Sequence, residues 1–264
     1  MSLLQMSFAG AVMILAIIVI RALAITFLPK KTFLALWGIA VMRLLLPFSL
    51  PSVFSVYSLI GNHIPMTAPA KVQQAFEVLP PEISGQMATM PGGISNTASP
   101  ISVWTIIWGI GALVCALVFA IAYWKCRQEF QTSLPVDNDF IKGWLSSHQL
   151  KREISIRQSS RFSVPLTYGV LRPVILTPTS TDWENTKALQ YVFAHEYVHI
   201  RRFDSITKLV LITGLCVHWF NPLVWAMYVL ANRDIELSCD EAVVRLFGEN
   251  TKAAYARSLI SMEE

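Results

Sequence analysis

The sequence predicts a mainly α-helical membrane protein with three or four transmembrane helices and a small α+β domain on the cytoplasmic side. Hydrophobic residues make up 54% of the 264 residues and charged residues only 14%, against about 25% charged residues in a soluble domain. The apolar residues are concentrated in four long stretches, and a short histidine-containing pattern follows the third of them. These observations predict a membrane region over 1–124 and a separate domain over 125–264.

Three of the apolar stretches are predicted to cross the bilayer, because a span needs about 20 apolar residues. They lie at about 3–28, 33–55 and 102–124. The first stretch lacks the basic residues that precede the apolar core of a signal peptide, so it is interpreted as a retained anchor. The fourth stretch, 209–231, contains His218, Asn221 and Pro222. Whether it enters the membrane or packs as a buried helix stays open, and His218 is interpreted as a structural residue.

The distribution of basic residues predicts the orientation in the membrane. Bases cluster between the first two spans and again after the third, at Arg21, Lys30, Lys31, Lys125 and Arg127. The segment 61–101 holds a single base, Lys71. Because cytoplasmic loops are enriched in Lys and Arg, 61–101 is predicted to be an external loop and the domain after residue 124 to be cytoplasmic. The net charge of +4 then belongs to the cytoplasmic face, and no direct contact with nucleic acid is expected.

The four cysteines avoid the predicted external loop, which fits reduced thiols rather than a disulfide framework. They are Cys115, Cys126, Cys216 and Cys239. Cys239 lies in a predicted helix near the candidate site, and a small buried helix residue is the favoured interpretation over a metal ligand.

The domain after residue 124 mixes short strands with helices. Alternating residues predict a strand at 154–157, and a hairpin is predicted from 165–167 and 170–176, turned at 168–169. A helix is predicted from about 232 to 247, ended by Gly248. A strand beside the candidate site has two readings of equal weight: its free edge holds an extended substrate by strand addition, or it is plain scaffold.

The segment 195–199 has the pattern H-E-x-x-H, which is typical of a zinc site on a helix. His195 and His199 project from one helical face because they are four residues apart, so both can reach one metal ion. Glu196 can then take a proton from a metal-bound water as general base. A capping box formed by Thr181 and Glu184 is predicted to begin this helix.

A catalytic zinc keeps three protein ligands, so a third ligand is expected downstream. Glu236 and Asp240 lie four residues apart on the predicted helix. In that geometry Glu236 can bind the metal while Asp240 hydrogen-bonds a ligating histidine and fixes its orientation. The alternative is an acidic, solvated helix face. Ser205 and Lys208 match S-x-x-K, a penicillin-acylated serine pattern, but no K-T-G follows and the match is interpreted as coincidence.

Three motifs carry a family resemblance. In chain order they read His195-Glu196-x-x-His199-Ile200-Arg201-Arg202-x-Asp204, then His218-Trp219-Phe220-Asn221-Pro222, then Glu236-Leu237-Ser238-Cys239-Asp240-Glu241. They resemble those of the BlaR/MecR-type regulatory membrane metallopeptidases, and the resemblance covers nearly the whole chain. The receptors of that family also carry an external penicillin-binding sensor domain. These 264 residues do not contain its motifs, so direct β-lactam sensing by them is not expected.

The resemblance implies a gluzincin-type zinc protease domain. Its Zn2+ ligands would be His195, His199 and Glu236. Glu196 would be the general base, and Asp240 and Asp204 would hydrogen-bond the ligating histidines from outside. The resemblance also implies a multi-pass protein of the bacterial plasma membrane with a cytoplasmic protease domain.

The function expected from these residues is that of an integral-membrane zinc endopeptidase in signal transduction. By resemblance it cleaves itself, a transcriptional repressor, or both, as an antirepressor in the regulation of antibiotic resistance. Expected partners are the lipid bilayer and a protein substrate, with a homodimer left open. Two alternatives remain: a constitutive quality-control membrane protease of the Ste24 or heat-shock type, and a zinc-containing signalling scaffold with little proteolysis.

Overall fold

A computed structural model of the chain describes residues 3–46 and 102–260. Within it, Met1–Pro47 and Ile107–Glu264 belong to one compact unit, and the contacts discussed below lie in that unit. The predicted external loop at 61–101 and the end of the second predicted span lie outside the described residues. The division between a membrane region and a separate domain at residue 124 stays a prediction.

The described residues are mainly helical and include one small sheet. The helices are α1 (Leu3–Ala24), α2 (Lys30–Leu45), α3 (Val103–Gln131), α4 (Asp139–Ser147), α5 (Thr186–Arg202), α6 (Asp204–Val217), α7 (Pro222–Phe247) and α8 (Lys252–Ile260). The strands are β1 (Leu134–Pro135), β2 (Ser155–Ser159), β3 (Leu166–Tyr168) and β4 (Val174–Pro178). This content confirms the predicted combination of apolar helices with a small α+β part.

Two of the described helical segments, Leu3–Ala24 and Val103–Gln128, are long and apolar enough to cross a membrane. They correspond to the first and third predicted spans. The α3 segment has no buried residue along its most apolar window, which is typical of a helix whose apolar side chains face lipid. α2 ends at Leu45 because Leu46 is extended, which stops that helix before the predicted limit at residue 55. The total number of spans stays a prediction.

The apolar stretch 209–231 is not one continuous helix, and it is interrupted at the residues that the sequence analysis singled out within it. It is divided between α6 and α7 by a short break. Asn221 caps α7 by accepting a hydrogen bond from the Leu223 amide, and Pro222 occupies the first turn, where its missing N–H costs nothing. His218 is fully buried in the break and its Nε2 contacts the Leu44 carbonyl at 3.0 Å, in agreement with a structural role.

The core of the helical part is formed by α1, α2, α6 and α7. Its largest buried side chains are Trp37, Phe33, Ile14, Leu44, Leu215, Met227 and Ile235. An ion pair lies at the edge of this core. The Arg21 Nε donates to both carboxylate oxygens of Asp234 at 3.0 and 2.9 Å, and Trp37 Nε1 donates to the same carboxylate at 2.8 Å. Asp234 is completely buried, so α1, α2 and α7 are joined through one desolvated carboxylate.

The sheet has the strand order β1-β2-β4-β3. β2 and β4 pair in parallel, while β3 pairs antiparallel with β4 and is an edge strand. The predicted strands are present with shifted ends, and the connection between β3 and β4 is longer than the tight turn predicted at 168–169. Gly169 adopts a φ of 86°, and a Cβ there would lie 2.5 Å from the Arg172 carbonyl oxygen, so this turn requires glycine.

The sheet and α4 together support α5. Ile156 and Ile175 of the sheet pack with Trp144, Leu189 and Phe193 in one buried cluster. This cluster fixes α5 in place because it covers one side of the helix with apolar contacts.

The start of α5 differs from the predicted capping box. Asn185 caps the helix by accepting from the Ala188 amide at 3.2 Å. Thr181 instead donates to the Pro178 carbonyl at 2.7 Å, within the turn that follows β4. The helix therefore begins at Thr186, with Asn185 as its N-cap.

Candidate metal centre

The turn between α5 and α6 places Asp204 beside His199, the second histidine of the motif. Phe203 ends α5 in the left-handed conformation with a φ of 58°. α6 begins at the next residue, so Asp204 lies next to His199. Arg152 supports this turn by donating to the Ile200 carbonyl at 2.6 Å, and its guanidinium lies 3.9 Å from the centre of the Phe203 ring.

Three side-chain atoms converge where α5 meets α7. The Nε2 atoms of His195 and His199 are 3.2 Å apart. The Oε2 atom of Glu236 lies 3.6 Å from the first and 3.2 Å from the second. The structure therefore brings together the three residues that the sequence analysis selected as ligands.

This arrangement fits a zinc ion. Bonds of about 2.0–2.1 Å in a tetrahedral zinc site place neighbouring ligand atoms about 3.3 Å apart, which is close to the three separations observed. Two imidazole nitrogens 3.2 Å apart cannot both direct a hydrogen at the other, whereas both can direct lone pairs at one shared cation. The donor set, two imidazoles and one carboxylate, is also one that zinc accepts in catalytic sites.

The Nδ1 atoms of both histidines, which are the ring nitrogens that face away from the metal position, lie next to hydrogen-bond acceptors. His199 Nδ1 is 2.7 Å from Asp204 Oδ2, and the other carboxylate oxygen of Asp204 lies 3.6 Å from Arg202 Nε. His195 Nδ1 lies 3.2 Å from Asp240 Oδ1 and 2.8 Å from the Tyr255 hydroxyl. Asp204 and Asp240 thus lie where the sequence analysis expected outer partners.

The electrostatics of the site favour positive charge between these groups. Burial lowers the pKa of His199, but the hydrogen bond to Asp204 and the nearby Cys239 and Glu236 outweigh it and raise the pKa to about 11. Burial likewise opposes the charge on Glu236, but His195 and His199 hold the pKa of its carboxyl well below the usual range. A cation at this point is therefore stabilised, whether protons or a metal ion carry the charge.

Cys239 lies close to the same histidines. Its Sγ atom and one nitrogen of each imidazole all lie within 4.8 Å of one another, so the three residues could hold a metal. The thiol is fully buried and donates to the His195 carbonyl at 3.2 Å. Glu236, by contrast, lines the open cleft. The predicted burial of Cys239 is confirmed. Its sulfur nevertheless lies close to the metal position, although the sequence analysis favoured a buried helix residue over a metal ligand.

Glu196 is buried beside the histidines, and its position is fixed from the sheet. Its Oε2 accepts a hydrogen bond of 2.5 Å from the Thr167 hydroxyl of β3. The two histidines, Glu196 and Glu236 line a cleft of about 270 Å³ together with residues of β3 and α6. These additional residues are Pro165, Leu166, Thr167, Asp204, Ser205 and Lys208. The edge strand therefore forms one wall of the cleft.

Lys208, the lysine of the S-x-x-K pattern, contacts one of the proposed ligands. Its Nζ donates to Glu236 Oε1 at 3.1 Å, while Glu236 Oε2 faces the histidines. The ammonium thus holds one oxygen of the carboxylate and leaves the other directed at the metal position.

Sequence reasoning missed three residues that contact this site: Thr167, Lys208 and Tyr255. Thr167 had a weak signal, since it lies in a predicted strand whose edge was considered for substrate binding. Lys208 had been singled out for a different pattern. Tyr255 had no signal in the sequence, because no motif links it to His195, which lies 60 residues earlier.

The described residues combine two helical segments that could cross a membrane with a cluster of side chains that could hold a metal ion, a combination that fits a membrane metallopeptidase. The chain belongs to the family described as BlaR1 peptidase M56, which matches residues 1–264. This membership confirms the resemblance inferred from the three motifs.

Curated relatives of the chain are bacterial regulatory and resistance proteins. The methicillin resistance mecR1 protein of Staphylococcus aureus is 26% identical over 159 residues, which are 59% of this chain and 27% of that protein. The regulatory protein BlaR1 of Bacillus licheniformis is 29% identical over 166 residues, 60% of this chain and 27% of that protein. The matched part of the chain thus spans less than a third of the length of these relatives.

Proposed function

We propose that this chain is an integral-membrane zinc endopeptidase that acts in signal transduction. The observation that carries the proposal is the convergence of His195 Nε2, His199 Nε2 and Glu236 Oε2 within 3.6 Å of one another, next to the buried carboxylate of Glu196. The membership in a peptidase family supports it independently.

Within this proposal His195, His199 and Glu236 would hold the metal, and Lys208, which donates to Oε1 of Glu236, leaves Oε2 facing the histidines. When bound, zinc supplies a Lewis acid that polarises the scissile carbonyl and lowers the pKa of a water. Glu196 would act as the general base, accepting the proton of the attacking water and passing it to the leaving amine. Thr167 donates to one oxygen of Glu196, so the other oxygen stays available for the proton.

The proposed substrate is an extended peptide bound along β3. This strand is at the edge of the sheet and forms a wall of the cleft. Among the residues that the structure describes, Leu166 to Tyr168 pair with β4 on one side only. Unpaired backbone groups on an edge strand can bind a further strand. A peptide added there would pass Glu196, which is hydrogen-bonded to the same strand.

The proposed setting is the bacterial plasma membrane, with several spans and the site on the cytoplasmic side. The relatives are named for regulation and methicillin resistance, which supports a role in signalling over constitutive quality control. The substrate proposed is the chain itself, a transcriptional repressor, or both, and the lipid bilayer is a constant partner.

Removing the metal tests the proposal. The purified chain is expected to carry about one zinc, and cleavage of itself or of a co-expressed repressor from a neighbouring gene should stop with a chelator and return with zinc. His195→Ala and Glu236→Ala should lose zinc, whereas Cys239→Ala should retain it. Zinc retention in Glu236→Ala together with loss in Cys239→Ala would assign the third ligand to the thiol. Zinc-loaded protein that cleaves nothing would favour the alternative function, a zinc-containing signalling scaffold with little proteolysis.

Cysteine labelling tests the orientation. Ser160 is exposed between β2 and β3, and Ser95 lies in the predicted external loop, outside the described residues. A membrane-impermeant thiol reagent added to intact cells should label Ser95→Cys and not Ser160→Cys, because the bases flank the cytoplasmic side. The parent chain with its four native cysteines provides the background, and lysed cells should allow labelling of Ser160→Cys. Labelling of Ser160→Cys from outside would reverse the orientation.

A further inference from the structure

α8 contributes one polar side chain to the metal centre. Tyr255 is 4% exposed and lies in an apolar cluster with Ala194, Val243 and Val244. Its ring packs edge-on against Tyr191 of α5, with 6.1 Å between the ring centroids. The ring is therefore fixed by packing, and the position of the hydroxyl follows from it.

The hydroxyl bridges a carboxylate and an imidazole. It donates to Asp240 Oδ1 at 2.6 Å and lies 2.8 Å from His195 Nδ1. A phenol has a single hydrogen, and the ionised carboxylate can only accept. The hydroxyl therefore accepts from His195 Nδ1, and the imidazole hydrogen is on that nitrogen.

This assignment directs the other imidazole nitrogen at the metal position. With its hydrogen on Nδ1, the neutral His195 ring presents a lone pair on Nε2, the atom that faces His199 and Glu236. His199 reaches the same state differently, since Asp204 contacts its Nδ1 directly at 2.7 Å. The Asp240 carboxylate is farther from His195, at 3.2 Å, and the tyrosine hydroxyl lies closer to the ring nitrogen.

We propose that Tyr255 is a positioning residue of the metal centre, which holds His195 in its metal-binding tautomer and makes metal affinity depend on the docking of α8 against α5. The inference rests on the proposed metal site but not on proteolysis. It gives α8, the last described helix, a role in orienting His195. The spacing of residues within the H-E-x-x-H motif does not predict this role.

The test is the zinc affinity of the full chain in detergent, measured by competition with a chromogenic chelator. Tyr255→Phe keeps the ring packing and removes only the hydroxyl, and we expect zinc to bind roughly 10-fold more weakly, at the lower end of the effect of losing an outer partner. Tyr191→Phe removes a hydroxyl from the adjacent ring and should leave the affinity unchanged. A purely structural tyrosine would lower thermal stability equally with and without zinc and leave the affinity as in wild type, which would overturn the proposal.

The tautomer itself provides a second measurement, made on the wild-type protein with one variant used only to assign the signal. In zinc-loaded wild-type protein with nitrogen-15-labelled histidine, the signal of His195, assigned by its loss in His195→Gln, should show hydrogen on Nδ1. Hydrogen on Nε2 would contradict the inference. Because neither readout involves cleavage, a chain that binds zinc as expected but cuts nothing would fail the proposed function and leave the role of Tyr255 standing.

Discussion

Glu196→Gln is expected to abolish cleavage while leaving zinc content and folding intact. Glutamine fills the same volume and its amide can still accept from Thr167 at 2.5 Å, so the contact with β3 is retained. The amide cannot take the proton of the attacking water. Loss of general-base catalysis typically costs about 10²–10⁴ in rate. The measurement compares self-cleavage, and cleavage of a co-expressed repressor, at equal membrane abundance of the two proteins.

Thr167→Val provides the matched control for this experiment. It removes the hydrogen bond to Glu196 but keeps a β-branched side chain in the strand and leaves the carboxylate able to accept a proton. Cleavage should fall much less than in Glu196→Gln, with zinc retained in both. Unchanged cleavage in Glu196→Gln with zinc in place would remove Glu196 from the mechanism and refute the peptidase chemistry proposed here.

Asp234→Ala is expected to cause the largest loss of stability of any single substitution discussed here. Asp234 is completely buried, and it accepts from both Arg21 and Trp37. Removing the carboxylate leaves the Arg21 guanidinium, whose side chain is only 11% exposed, without its ion-pair partner. An uncompensated buried charge costs about 3–5 kcal/mol. Thermal or denaturant unfolding in detergent measures the loss.

An exposed ion pair offers the control for this prediction. Asp137 and Lys142 also form a 2.8 Å contact, but their side chains are 79% and 64% exposed. Asp137→Ala should therefore cost far less than Asp234→Ala, because water screens the exposed pair. The double variant Arg21→Met/Asp234→Leu should recover part of the stability, since no charge is then left buried. Equal losses in Asp234→Ala and Asp137→Ala would show that the buried pair contributes nothing special.

Asp234 also lies two residues before Glu236 on α7. The ion pair thus joins α1, one of the two described helical segments long and apolar enough to cross a membrane, to the helix that carries the third proposed ligand. Destabilisation in Asp234→Ala is expected to be accompanied by weaker zinc binding, because both depend on the placement of the same helix.

Local rules determined a large part of this protein from its sequence. His195 and His199 share a face because helical geometry places residues four apart on the same side. The break at Pro222 follows from the missing N–H of proline, and the end of α7 from Gly248, which has a φ of 96°. The apolar stretches predicted spans through length and composition alone, and two of them correspond to helical segments long and apolar enough to cross a membrane. Each of these inferences needs only residues that are neighbours along the chain.

Tertiary structure decided which distant side chains meet. Tyr255 lies 60 residues from His195, and Arg21 lies 213 residues from Asp234. No periodicity relates such positions, because the contacts depend on how α8 packs on α5 and α1 on α7. The parallel pairing of β2 with β4, which places β3 at the edge beside Glu196, is likewise a property of the assembled sheet. The sequence by itself therefore determined the chemical groups of the candidate site, while helix and strand packing decided the partners that orient them.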